Sequence, residues 1–230
     1  MAEDYLTDDE QVEVVKRWLT ENGPWLLAGA LLGAALLFGY RFYESHRTAR
    51  ALQAAAQFDQ MTAALGGNDR AGARRIAAEI VDKYAGGPYA DHAELTLARM
   101  DVDDGKFAAA AGELNKVMDH SKDAELRKIA RLRLARVQIA MAKPDEAINT
   151  LAGGGDPGAF AALYHEVRGD ALYAKKDRSG ALAEYQRALA ATDPSTGDTA
   201  LLTLKITDLG AAPASPGPAA KPAAPQTAAP

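Results

Sequence analysis

The sequence contains no cysteine, which removes disulfides, thiol nucleophiles and thiolate metal sites from consideration. Its four histidines, His46, His92, His120 and His165, are scattered, and none falls in H-E-x-x-H or a similar ligand spacing. There is no basic stripe either. Lys and Arg number 26 against 31 Asp and Glu, a net charge of −5, whereas phosphate-backbone binding needs clustered cations that displace counterions. The composition therefore argues against nucleic acid as a partner. Strand-favouring Val, Ile and Thr are sparse beside Ala, Leu and charged residues, so summed propensity points to helix nearly throughout and the fold class is all-α.

Two stretches approach a chemical motif and each lacks a component. Asp101-Val102-Asp103-Asp104-Gly105 is like a calcium loop, but its glycine comes one place early and the third acidic ligand is missing, so an inter-helix turn is the better reading. Gly153-Gly154-Gly155-Asp156-Pro157-Gly158 has no lysine or hydroxyl to complete a phosphate cradle and reads as a loop between units. Ser45, Ser121, Ser179, Ser195 and Ser215 have no strand–elbow context. No catalytic, cofactor-binding or metal-ligating residue emerges, so the chain reads as a non-enzyme without a cofactor.

What the chain does have is a clean apolar run, Pro24–Tyr40, between Glu21 and Arg41. Counted from Asn22 the uncharged run is 19 residues, and at ~1.5 Å per residue a helix of that length covers roughly the hydrocarbon core of a bilayer. Six leucines and Phe38 contribute about −3 kcal/mol on an insertion scale, a sum that one central charge of about +3 would cancel. Trp25 at one end and Tyr40 and Tyr43 at the other place amphipathic rings at the headgroup layers. A signal peptide would begin with a short basic region and carry a shorter core; here the lead is long and acidic. The A-x-A triplets Ala49–Ala51 and Ala54–Ala56 lie beyond the apolar run, inside continuing helix, so the segment reads as an uncleaved anchor over 24–44.

Before it, Thr7-Asp8-Asp9-Glu10 fits a capping box. Val12, Val15, Trp18 and Leu19 then share one helical face, opposite Glu13, Lys16, Arg17 and Glu21, and Asn22-Gly23-Pro24 is expected to end this helix and start the next. The apolar stripe of residues 1–23 leaves three readings open: a membrane surface, a partner, or a weak helix. Within the span, Gly29 and Gly33 form a G-x-x-x-G that would let another backbone approach, or simply face lipid. Lys16 and Arg17 precede the span and Arg41, Arg47 and Arg50 follow it, a bias too small to set orientation when large domains can be translocated regardless.

After the anchor a helix is expected over Ser45–Leu65 and another over Ala71–Tyr84, broken by Gly66-Gly67-Asn68-Asp69. A helix–turn–helix unit then recurs. Leu97, Ala98, Gly105, Phe107, Ala110, Leu114 and Val117 form one copy, and Leu134, Ala135, Ala142, Pro144, Ala147 and Leu151 follow 37 residues later. Gly169, Ala181, Tyr185, Ala188 and Leu189 form a third copy at a slightly shorter interval. This is the tetratricopeptide period. Small residues at Ala98, Ala135 and Gly169, and at Ala110, Ala147 and Ala181, let paired helices approach, and stacking of at least three units closes a continuous core. Arg168 and Asp101 stand where a leucine and an aromatic are usual. Thr199–Leu209, with Leu201, Leu202, Leu204, Ile206 and Leu209, is expected to cover the last open face. The repeat domain thus spans 45–209, and 210–230, proline- and alanine-rich without periodicity, is expected to be disordered.

Glu10–Gly23, EQVEVVKRWLTENG, set before a Gly/Ala/Leu-rich span and an Arg41-Phe42-Tyr43 exit, resembles the YfgM family of bacterial inner-membrane proteins. Leu132–Gln138, Arg168–Leu172 and Leu204–Leu209 look like corresponding pieces, and the tail after Gly210 departs from the family pattern. The resemblance implies an ancillary subunit of the SecYEG translocon with residues 1–23 cytoplasmic, one span, and a periplasmic tetratricopeptide-like domain. It also implies association with the membrane-anchored periplasmic chaperone PpiD. Two other classes remain open from the residues: a regulatory adaptor working through the cytoplasmic N-terminal helix, and a structural repeat protein of the cell envelope.

Overall fold

The computed structural model describes residues 8–193 and 199–210. Thr7 of the expected capping box, Ser195, Ser215 and the Pro/Ala-rich run beyond Gly210 lie outside them. The chain divides into two compact units, with the boundary between Gln53 and Ala54.

Helix α1, Asp8–Gly66, runs unbroken for 59 residues. The expected break at Asn22-Gly23-Pro24 does not occur: Pro24 lies inside the helix, and the helix expected from Ser45 is its continuation. An interior proline removes one hydrogen bond and crowds the preceding turn, at a cost of about 3 kcal/mol. Side chains of that turn supply extra bonds to the backbone: Asn22 Nδ2 donates to the Trp18 carbonyl at 3.0 Å and Thr20 Oγ1 to the Arg17 carbonyl at 2.8 Å. The carbonyl that Pro24 leaves without its usual donor is that of Thr20, four residues back, and neither of these bonds reaches it. Among the described residues α1 is the one helix long and apolar enough to cross a membrane. Within the apolar run Trp25, Phe38 and Leu37 are bare, at 80%, 75% and 68% exposure.

The second unit is a row of helical hairpins. The end of α1 pairs with α2 (Arg70–Lys83), α3 (Pro88–Asp103) with α4 (Phe107–His120), α5 (Ala124–Ala140) with α6 (Pro144–Ala152), and α7 (Ala161–Ala174) with α8 (Arg178–Ala191); α9 (Ala200–Asp208) follows. A short 3-10 turn, Gly158–Phe160, precedes α7. The period seen in the sequence is built into the backbone of the turns. Asn68, Gly105, Ala142 and Lys176, one in each hairpin, all take a left-handed conformation with φ between 59° and 72°. Each closes the same pair of hydrogen bonds: Asn68 N–H to Leu65 and Asp69 N–H to Ala64, then Gly105 to Val102 and Lys106 to Asp101. The third and fourth turns repeat it, Ala142 to Ile139 with Lys143 to Gln138, and Lys176 to Tyr173 with Asp177 to Leu172. This is the Schellman stop, which satisfies the orphan carbonyls of the first helix and re-aims the chain for the second.

The core lies between hairpins as much as within them. Met61, Ala73, Ala77 and Ile80 of the first hairpin share a cluster with Ala93, Leu97 and Met100 of α3. The other side of α3, Leu95 and Ala98, joins Leu114 and Val117 of α4 and Ala130, Leu134 and Val137 of α5. Leu132 and Ala135 carry the core on to Ala147, Leu151, Tyr164, Val167 and Ala171. Each bridging helix buries two sides, so removing one hairpin would expose its neighbours. At the end of the row, Leu202 and Ile206 of α9 close on Ala181, Tyr185, Ala188 and Leu189. The expectation for α9 is corrected in part: Leu201 and Leu204 point outward, at 53% and 65% exposure. On a short helix only one stripe can face the hairpin, and Leu202 and Ile206 at i, i+4 occupy it.

Candidate functional site

Counted from the left-handed turn residue, each hairpin presents the same register. Seven places before it stand Met61, Ala98, Ala135 and Gly169; five places after it stand Ala73, Ala110, Ala147 and Ala181, every one of these four alanines at 0% exposure. Ala98 and Ala135 are likewise buried. A Cβ built on Gly169 would lie 2.5 Å from the Tyr185 ring, so only glycine admits the ring there. Gly105 contributes by conformation instead, since at φ +72° a side chain is strained although there is space for one. In α1 a Cβ on Gly29 or Gly33 would meet nothing within 4 Å. Their smooth face is open.

The two departures from the repeat pattern have electrostatic reasons. Asp101, at 5% exposure, is ion-paired with Arg74 of the preceding hairpin at 2.7 Å. Arg70 reaches Asp103 and Asp104, and Lys106 also holds Asp104, whose pKa falls because of that lysine and the Arg70 bond. The acidic run that is like a calcium loop is thus a turn neutralised by its own cations. Arg168 approaches Glu184 at 3.7 Å, and the same buried carboxylate meets Arg187 at 2.6 Å and His165 Nδ1 at 2.7 Å. An uncompensated buried charge would cost several kcal/mol, so each position holds one half of an ion pair in place of an apolar contact.

A third polar group seats α9. Lys205 Nζ lies 2.8 Å from both Glu166 and Asp170 and 5.3 Å above the Tyr185 ring, while Tyr185 donates its hydroxyl to Asp170 at 2.8 Å. Burial disfavours charge on Lys205, but the two carboxylates outweigh it and raise its pKa. Burial and the bond to Asp170 push the Tyr185 phenol upward as well.

The feature that sequence reasoning missed is a pocket of about 360 Å³ where α3, α4 and α5 meet. Buried Ala98, Leu114 and Val137 line it, together with the more exposed Val102, Phe107 and Ala140. Three arginines, Arg99, Arg133 and Arg136, complete the lining. Arg99 and Arg136 each stand six places before their turn residue, hence at the same place in successive hairpins. Arg133 is one turn before Arg136 on α5. Partial burial, with the charges of Arg99 and Arg136, lowers the Arg133 pKa. The periodic placement of Arg99 and Arg136 is a signal that could have pointed here.

The comparisons with known proteins agree with this architecture. A family profile described as "Tetratricopeptide repeat-like domain" matches residues 16–211. A protein of Escherichia coli (strain K12) named ancillary SecYEG translocon subunit is 32% identical over 89% of this chain and 98% of its own length. Proteins of the same name in Haemophilus influenzae, 28% identical over 80% of this chain and 89% of theirs, and in Neisseria gonorrhoeae, 26% over 89% and 98%, are also similar. With a repeat profile across most of its length, a relative from Escherichia coli that aligns with it nearly end to end, and one bare apolar helix before a row of hairpins, the chain belongs to the YfgM family of tetratricopeptide repeat-like proteins.

Proposed function

We propose that this protein is a non-catalytic scaffold of the bacterial inner membrane, attached to the SecYEG translocon and serving to bring secreted or membrane proteins to periplasmic folding factors. Residues 24–44 span the membrane, 1–23 face the cytoplasm, and 45–209 stand in the periplasm with the Pro/Ala-rich 210–230 beyond them. A PpiD-like chaperone is the second partner. The observation that carries the reading is one chain joining an uncovered apolar helix to a hairpin row whose core is complete without that apolar stretch. Relatives that match along most of their length are named for the translocon, which supports it further. A tether raises the local concentration of a weak binding surface to the millimolar range, so useful capture needs no chemistry. Gly29 and Gly33 give another spanning helix a smooth face to approach.

The test has two parts. A reporter enzyme fused to the C-terminus should be active in the periplasm. Deleting residues 1–44 should leave a helical, cooperatively unfolding domain that no longer copurifies with SecYEG. Undiminished copurification after the deletion, or a reporter active only in the cytoplasm, would overturn the reading.

A further inference from the structure

Eleven arginines lie in the hairpins, and their partners divide them sharply. Arg70, Arg74, Arg75, Arg168 and Arg187 are ion-paired, while Arg127, Arg131 and Arg178 donate to backbone carbonyls. Arg136 comes only within 3.9 Å of Glu166. Arg99 and Arg133 make no hydrogen bond or ion pair among the described residues, and both line the pocket over Leu114. In a chain of net charge −5, the two hairpin guanidiniums with neither a carboxylate nor a carbonyl partner among the described residues lie at one apolar hollow. Mutual repulsion there opposes folding, so a stability argument does not account for the arrangement.

The next hairpin supplies the contrast. Asp170 stands six places before its turn residue, where Arg99 and Arg136 stand in theirs. There the face is acidic, and the chain covers it with a cation of its own, Lys205 of α9, held by Glu166 and Asp170. The basic face of α3 and α5 has no such acidic element laid over it among the described residues.

We propose that this pocket receives an acidic segment of another polypeptide carrying one large apolar side chain. The apolar side chain enters the hollow over Leu114 and Phe107, and carboxylates on either side of it are taken by Arg99, Arg133 and Arg136. Guanidinium suits this task because its planar fork binds carboxylate through two parallel hydrogen bonds. A volume of about 360 Å³ is at the small end of the range for ligand sites, roughly 300–1,000 Å³, and fits a side chain anchored from a longer segment. The proposal rests on the scaffold reading and names the chemistry that the scaffold captures.

The experiment uses the full chain in zwitterionic nanodiscs and a short, capped, dye-labelled peptide with a Leu-Phe pair flanked by glutamates. Fluorescence anisotropy should show saturable binding that weakens with salt. The double substitution Arg99→Gln/Arg133→Gln should weaken it roughly tenfold or more, and Arg75→Gln, which alters an arginine elsewhere, should not. A peptide with glutamine for every glutamate, and one with Ser-Ser for Leu-Phe, should each bind much less. No binding by the unaltered protein, equal binding of the glutamine peptide, or an unchanged double variant would overturn the proposal. So would arginine-dependent binding of phosphatidylglycerol vesicles with none of the peptide. Copurification of the double variant with SecYEG separates the two readings: if it persists while the unaltered protein fails to bind the peptide, the pocket assignment falls and the scaffold stands. Loss of copurification on deleting residues 1–44 tests the scaffold alone.

Discussion

The first and last hairpins share a backbone and fill it in opposite ways. In the first, the place seven before the turn holds Met61 and the place nine after it holds Ala77, both at 0% exposure in one cluster. In the last, the corresponding residues are Gly169 and Tyr185, and the ring lies where a Cβ on residue 169 would be. The two middle hairpins sit between these extremes, with Ala98 and Leu114 in one cluster and Ala135 and Leu151 in another. Large with small, small with large, and none with largest keep the summed volume nearly constant. Close-packed interiors tolerate exchanges that conserve volume far better than exchanges that do not. The repeat is therefore a rule about pairs of positions, with the four buried alanines five places after the turn as its fixed point.

The strongest way to break the comparison is a double-mutant cycle at Gly169 and Tyr185. Tyr185→Leu removes ring volume and the 2.8 Å bond to Asp170, and should cost about 2–3 kcal/mol in urea unfolding. Gly169→Ala in an open helix would gain about 1 kcal/mol. Here the added carbon meets Tyr185 at 2.5 Å, and overpacking of about 1–3 kcal/mol wins, so the single variant should lose stability. In the Tyr185→Leu background the sign should reverse, because the pair then matches Ala135 and Leu151. Equal effects of Gly169→Ala in the two backgrounds would show that the volumes are not coupled.

Much of this is legible in the sequence, and the physical reason is locality. Helix positions, turns and the recurring interval between turn residues follow from side chains near one another in the chain. The class and the repeat follow from them. Arg168 and Asp101 are legible only as exceptions, because Glu184 and Arg74 come from other helices. The first hairpin is recognisable as a pair of helices but not as a size-inverted copy of the others, since Met61 hides a place otherwise held by Ala or Gly. Pro24 reads as a helix boundary because a Gly-Pro pair favours a break locally, whereas the helix runs through it. The arginine pocket needs three dimensions: Arg99 and Arg133 are ordinary surface residues until they are seen at one hollow without partners.

Charge extends the comparison at a smaller scale. Asp101, buried against the preceding hairpin, and Glu184, buried within the last one, have arginines against them. Glu94 of α3 instead faces Glu113 and Asp91, with Lys116 and His120 offsetting only in part. Burial first, and Glu113 second, push its carboxyl up to about 7 from the ordinary 4.5. Between these two values the folded state holds the proton more tightly than the unfolded chain, so stability falls as pH rises through that window. Glu94→Gln should therefore be nearly neutral below the window and stabilising above it, by on the order of 1 kcal/mol once solvent screening is allowed for. Urea midpoints measured at both ends of the window check the sign, and a gain confined to the acid end would refute it.

The turns give the finest comparison. Asn68 in the first hairpin and Lys176 in the last adopt the same left-handed conformation, at φ 62° and 67°. Asparagine enters that region readily because its short side chain bonds locally, whereas an ordinary L-residue meets its own carbonyl there at about 1–2 kcal/mol. Replacing either by glycine relieves strain in the folded state but loosens the unfolded chain by about 0.4–1 kcal/mol. The two effects nearly cancel for Asn68→Gly, which should leave the urea midpoint unmoved. For Lys176→Gly the relief outweighs the loosening, and a gain of about 0.5 kcal/mol is expected. Equal responses at the two turns would mean that the stop is set by the helices it joins and not by the residue that makes it.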